Sequence, residues 1–229
     1  MVQWKGSRLD SPPKIIIKLR ELILTKPSVQ WLKKAFLCNS SLFIWMSSQD
    51  TILLLLYVDD IVLTGSCISL LKALVSNLNS KFAMKDMGDL HYFLEIEVIR
   101  CLDGLLLSQH KYAMDILEHT KMTCAGPIHT PIATKYELYD TGGPPINAFE
   151  FQSIVGALKY LTLTRPELAY EVNLLCQFKQ HPCDTHWTGV KRVLHYLAGT
   201  TQLGLHITAK SSFNLVGFID ADWGGCPIT

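Results

Sequence analysis

The sequence predicts an α+β fold in which β-hairpins come first, helices follow, and strand character returns at the end. Three observations predict it. An apolar run from Ile52 to Leu63 is broken only by Asp59-Asp60, with a polar turn upstream of it. Asp103-Gly104 sits between two strand-like runs, a hairpin signal of good quality. Beyond a loop rich in Pro, Gly and Thr, three segments carry apolar residues at helical spacing.

A chain of 229 residues suits one or two domains and can bury an ordinary core without staples. With 48% apolar residues and moderate Gly and Pro, it is neither disordered nor fibrous. A formal net charge of +1 gives no global sign of a polyanion partner, so any nucleic-acid contact must come from local patches. No apolar stretch approaches the roughly 20 residues of a membrane-crossing helix. The start, Met1-Val2-Gln3-Trp4-Lys5-Gly6, has no apolar secretion core. The 7 cysteines are scattered without a Cys-x-x-Cys pair and read as free thiols in a reducing compartment. The expectation is an intracellular chain, in cytoplasm or nucleus.

Residues 1–40 are the least legible part. Lys14 to Leu24 mixes a β-branched run with helix formers, and period alone cannot settle its type. In 41–122, Leu42 to Met46 reads as a strand, Ser47-Ser48-Gln49-Asp50 as a turn and Thr51 to Val58 as a second strand. Ile61 to Thr64 continues beyond the acids to Gly65. Ile68, Leu71, Leu74, Val75, Leu78 and Phe82 then share one helical face. Tyr92 to Ile99 is strand-like, Leu105 to Ser108 is a short strand, and Lys111 to His119 a helix. Residues 123–148 form the best candidate linker, containing Pro127, Pro131, Gly142-Gly143 and Pro144-Pro145. Residues 149–202 carry the helices Phe149–Leu163, Pro166–Gln180 and Thr185–Ala198; Pro166 suits a first helical position and Gly199 a stop. Strand character returns in 203–229.

Asp59-Asp60 is the pair most able to carry chemistry. Buried unpaired carboxylates cost several kcal/mol, so an apolar run needs a reason to hold two. A solvated turn is one reason, since Asp is a favoured turn residue. A hard divalent cation is the other: Mg2+ takes carboxylate oxygens and keeps positions open for phosphate. Cys176, His181, Cys183 and His186 are all zinc-ligand types within eleven positions, but their spacing matches no common finger, and Cys176 continues the apolar stripe of Leu168, Val172 and Leu175.

With its flanks, Tyr57-Val58-Asp59-Asp60 resembles the palm signature of reverse transcriptases. Further blocks fit one branch of them: Lys85-Asp86-Met87-Gly88-Asp89-Leu90-His91-Tyr92-Phe93-Leu94, Leu106-Leu107-Ser108-Gln109-His110-Lys111-Tyr112, Ser153 to Leu161, Thr164-Arg165-Pro166 and Val190 to Thr200. In that order they are similar to the Pol polyprotein of copia-type retrotransposons, from about Ser41 to Cys226.

The resemblance implies a partial palm at 41–122, helical thumb or connection elements at 149–202, and the first strands of a ribonuclease H-like domain in 203–229. It implies RNA-directed DNA polymerase activity: a primer 3′-hydroxyl attacks a dNTP on a template–primer, with two Mg2+. Asp59 would be the main metal ligand with Asp60 beside it, and Tyr57 and Val58 would border the primer terminus. Lys159, Arg165, Lys191 and Arg192 become candidates for phosphate contacts. Within Phe218–Trp223, Asp220 would be the first metal-binding carboxylate of ribonuclease H.

Three departures qualify this. No earlier strand offers the Asp-Val-x-x-Ala-Phe-Leu-like motif that brings a third carboxylate; Lys33-Lys34-Ala35-Phe36-Leu37 lacks the acid. The fingers are largely missing, and Glu95 stands where the family has a glycine. The expectation is a truncated chain, inactive by itself and without ribonuclease H activity. The alternative is a non-catalytic nucleic-acid-binding remnant or a product with no role.

Overall fold

The computed structural model describes residues 14–19, 36–37, 41–58, 60–82, 84–131 and 143–209. Contacts divide the chain into two units, Met1–Val98 and Ile99–Thr229.

In the first unit, polar turns fold apolar runs back on themselves. Ser47 closes the turn between β3 (Leu42–Met46) and β4 (Thr51–Tyr57): its amide donates to the Asp50 carbonyl at 2.8 Å and its Oγ accepts from the Asp50 amide at 2.9 Å. β5 (Asp60–Gly65) pairs antiparallel with β4. Alternation puts Leu54, Ile61 and Leu63 on a buried face, with Leu54 directly opposite Leu63. Leu71 of α1 (Ile68–Asn79) completes that small core. Gly65 permits the approach, since a Cβ there would lie 2.7 Å from the Thr51 carbonyl oxygen. Ile68, read as part of the apolar stripe, is 52% exposed, because as the first helical residue it precedes the buried face.

The undecided segment is β1 (Lys14–Leu19), and it is an inner strand. With β2 (Phe36–Leu37) and β6 (Met84–Gly88) it completes a six-stranded sheet of order β2-β3-β4-β5-β1-β6. The β-branched run Ile15-Ile16-Ile17 suits a strand with neighbours on both sides. The expected strand Tyr92–Ile99 is in fact two: β7 (Tyr92–Phe93) and β8 (Ile96–Cys101). A two-residue turn splits it, with Leu94 at φ +50° and Glu95 at φ +57°, so that Phe93 pairs with Ile96.

The second unit contains β9 (Gly104–Ser108), α2 (His110–His119), α3 (Ala148–Leu161), α4 (Ala169–Gln177), α5 (Asp184–Ala198) and β10 (Leu205–Thr208). The helix expected over Pro166–Gln180 opens instead as a 3-10 turn at Pro166–Leu168 and ends at Gln177. Ile116 and Leu117 of α2, Phe151, Val155 and Leu158 of α3, Val172 and Leu175 of α4, and Val190, Val193, Leu194 and Leu197 of α5 form its core. β10 pairs antiparallel with β9 in this unit.

The division between the units differs from the expected linker. The division lies at Val98/Ile99 rather than in the loop 123–148, because residues of that loop are tied to α5: Arg192 Nη2 donates to Thr130 Oγ1 at 2.9 Å, and His195 Nδ1 lies 2.8 Å from the Gly126 carbonyl. Residues 205–208 form β10, which pairs along β9 from Leu205↔Leu107 to Thr208↔Gly104. The ribonuclease H-like segment Phe218–Trp223, with Asp220, lies outside the described residues. Among those described, no helix is long and apolar enough to cross a membrane.

Candidate functional site

β4 and β5 form a hairpin whose last pair is Tyr57↔Asp60, so Val58-Asp59 is a two-residue connection. Two-residue hairpins favour turns with positive φ at the first central position, because that twist matches the strands. Val58 obeys, at φ +48°. A β-branched residue there is an outlier, since the left-handed region costs a non-glycine residue about 1–2 kcal/mol. Val58 is 73% exposed and Tyr57 51% exposed, so the strained tip carries apolar surface into solvent. Asp60 is half-buried, and Asp59 lies outside the described residues.

β1 flanks the hairpin on the β5 side. Its register on β5 runs from Lys14↔Thr64 to Lys18↔Asp60. The residue opposite Asp60 is therefore a lysine, and Lys14–Leu19 contains no carboxylate. Among the described residues no group of three or more His, Cys, Asp or Glu is placed to hold a metal ion. Of the two expected Mg2+ ligands, Asp60 is among the described residues and Asp59 is not.

The four basic candidates have different fates. Arg165 is 2% exposed: Nη1 and Nη2 donate to the Thr200 carbonyl and Oγ1, each at 2.8 Å, Nε pairs with Glu167 at 2.6 Å, and the guanidinium lies 5.7 Å from the Tyr196 ring centroid. It ties the start of the 3-10 turn to the end of α5, and its burial keeps it away from a phosphate in solvent. Arg192 Nη2 is taken by Thr130, and its Nε is buried without a partner. Lys159 is exposed and donates to Asn173 Oδ1. Lys191 is exposed.

His186 is the N3 residue of α5 and fully buried. Its Nδ1 accepts from the Cys183 amide at 3.0 Å, and its ring stacks on Phe178 with centroids 3.9 Å apart. The zinc-type residues Cys183 and His186 thus cap a helix. Sequence reasoning missed Glu171, which is 1% exposed with Oε1 unpartnered. Burial pushes its carboxyl above the ordinary range, and Arg192 pulls it back. Its place on the buried side of α4, beside Val172, was the available signal.

The hairpin is central to an antiparallel sheet, and a helical unit follows it in the chain. The family described as reverse transcriptase (RNA-dependent DNA polymerase) matches residues 30–134. The Pol polyprotein of transposon RE2 from Arabidopsis thaliana is 40% identical over 217 residues, covering 94% of this chain and 15% of its own length. That of transposon TNT 1-94 from Nicotiana tabacum is 34% identical over 189 residues, covering 78% of this chain and 14% of its own. An uncharacterized mitochondrial protein of Arabidopsis thaliana, AtMg00810, is 46% identical over 176 residues, covering 77% of this chain and 73% of its own. The chain belongs to the reverse transcriptase family of copia-type retrotransposon Pol polyproteins. It spans about 15% of the length of the RE2 polyprotein. No solved structure matches it.

Proposed function

We propose that the chain carries the palm hairpin of an RNA-directed DNA polymerase and that, by itself, it does not polymerise. In this reading Asp59 and Asp60 are the hairpin's share of the Mg2+ ligands, and Tyr57 and Val58 border the primer terminus. The reaction they serve is attack of a primer 3′-hydroxyl on the α-phosphorus of a dNTP, with pyrophosphate leaving. The strained turn at Val58 supports a functional tip, because strain of this kind persists where the surroundings over-determine it.

The observation that carries the inactivity is Lys18 opposite Asp60. A two-ion clamp needs ligands from separate elements, and the adjoining strand brings a cation instead. The helical unit is assigned to template–primer, through backbone phosphates met by Lys159 and Lys191; the buried Arg165 takes no part.

Primer extension on poly(rA)–oligo(dT) with Mg2+ tests the first half. The expected result is no dTMP incorporation above blank, and incorporation that Asp59→Asn abolishes would overturn the inactivity. Filter binding to the same template–primer tests the second half: binding should weaken steadily with added salt, and an absence of binding at low salt would remove nucleic acid as partner.

A further inference from the structure

The second unit holds a cleft of about 400 Å³ lined by Ile146, Asn147, Glu150, Asp184, Trp187 and Lys191. That volume falls in the range of about 300–1,000 Å³ typical of small-molecule sites. It forms where the starts of α3 and α5 are laced together. The Ile146 amide donates to the Pro182 carbonyl at 3.2 Å, the Asp184 amide to the Pro144 carbonyl at 3.1 Å, and Pro145 bridges to Cys183.

The chemistry of the lining is specific. Trp187 is half-buried, packed against the core. Asn147 caps α3: its Oδ1 accepts from the amides of Phe149 at 3.0 Å and Glu150 at 3.4 Å, which leaves its amino group as a donor. Glu150 and Asp184 come from different helices, are exposed, and have carboxylates without partners among the described residues. Lys191 is exposed and likewise without a partner among the described residues. A favourable helix dipole accounts for an acid in a first turn. It does not account for an indole and an unpaired lysine in the same cleft as two such acids.

We propose that this cleft is a binding site for a guanine nucleotide. Aromatic side chains hold bases by stacking, and bases are told apart along their Watson–Crick edges. Carboxylates only accept hydrogen bonds, so the site wants a base with donors on that edge. Guanine presents two neighbouring donors, N1–H and the N2 amino group, and matches a carboxylate with both its oxygens. Adenine and cytosine offer only an amino group there, and uracil a single imide flanked by carbonyls. The Asn147 amino group serves O6, and Lys191 serves the phosphate, as charge-assisted donors do. An arginine-like cation would also suit two carboxylates and an indole, but Lys191 and two converging helix N-termini oppose it. The proposal is independent of polymerase activity and of the hairpin carboxylates, and shares only Lys191 with the template–primer reading.

Equilibrium dialysis of the whole chain against GMP, AMP, CMP and UMP, with arginine amide as the cationic control, tests it. The expected result is saturable GMP binding, at least about tenfold tighter than UMP, with a dissociation constant at or below about 1 mM. Of Glu150→Gln and Asp184→Asn, both at exposed positions, the one that removes the carboxylate on the guanine edge should weaken GMP binding by about ten- to a hundredfold, as loss of a charged hydrogen-bond partner does, and no loss with either would overturn the proposal. Lys191→Gln should weaken GMP but leave guanosine unchanged, and equal loss for both would remove the phosphate role. No saturable binding of any nucleotide up to about 10 mM, equal binding of all four, or tighter binding of arginine amide would each overturn the proposal. Since none of these readouts involves nucleotidyl transfer, a failure here and a failure in primer extension are told apart.

Discussion

Single side chains in this protein are most informative where burial and chemistry conflict. Glu171 is such a residue, with one oxygen unpartnered inside the helical unit and Arg192 as its charged neighbour. Because its folded pKa is raised above the ordinary 4.5, the native state holds the proton more tightly than the unfolded chain does. Stability is therefore lost as pH rises from the unfolded value through the folded one, and is regained on acidification. Glu171→Gln removes that dependence. The variant should be more stable than the parent at pH 7 by about 1 kcal/mol, the scale of one unsatisfied buried polar group. The gain should shrink toward nothing below about pH 4, where both forms are neutral. Urea unfolding at the two pH values measures it, and an equal gain at both would reject the assignment. Arg165 teaches the complementary lesson. In sequence it is one cation among several, and only the fold reveals that Thr200, Glu167 and Tyr196 consume it.

Among elements, those with a clean period were legible from sequence: β3 coincides with Leu42–Met46, and α5 begins one residue before the expected Thr185. Elements that depend on a partner were not. Lys14–Leu19 suits helix or strand equally, and the partners β5 and β6 decide it. Met84–Gly88 contains no β-branched residue and is a strand because the edge of β1 receives its backbone. The turn at Leu94-Glu95 lacks any Gly, Asn or Asp signal, yet both residues adopt positive φ. That strain makes a test. Glu95→Gly relieves a left-handed side chain at the cost of an exposed contact with the Tyr92 hydroxyl, and should raise stability by about 1 kcal/mol. The urea midpoint should move up with no change in slope; a lower midpoint would mean that the Tyr92 contact outweighs the strain. The candidate sites divide in the same way. The acids at Asp59-Asp60 stand out from the apolar run around them, whereas nothing in the sequence says that Asn147 and Asp184 meet beside Trp187.

At the scale of the whole molecule, each unit has its own core. Leu54, Ile61, Leu63 and Leu71 are the buried apolar residues of the first cluster, while the second draws on four helices. The cluster with fewer buried residues among those described should give way first. Urea unfolding is expected in two steps, with Leu63→Ala moving the early step and Leu194→Ala the late one, each by about 2–5 kcal/mol for a fully buried leucine. One transition shifted equally by both substitutions would show a single cooperative unit. The place of β1 in its sheet has a further consequence. A ribosome releases this strand before β5 and β6, yet those are its two neighbours. Strand β1 must therefore wait, its edges unpaired, until some seventy more residues have emerged, counting from Leu19 to Gly88. Such delayed, long-range closure slows folding and leaves a sticky segment open to chance partners, so the nascent chain calls for chaperone shelter during its own synthesis.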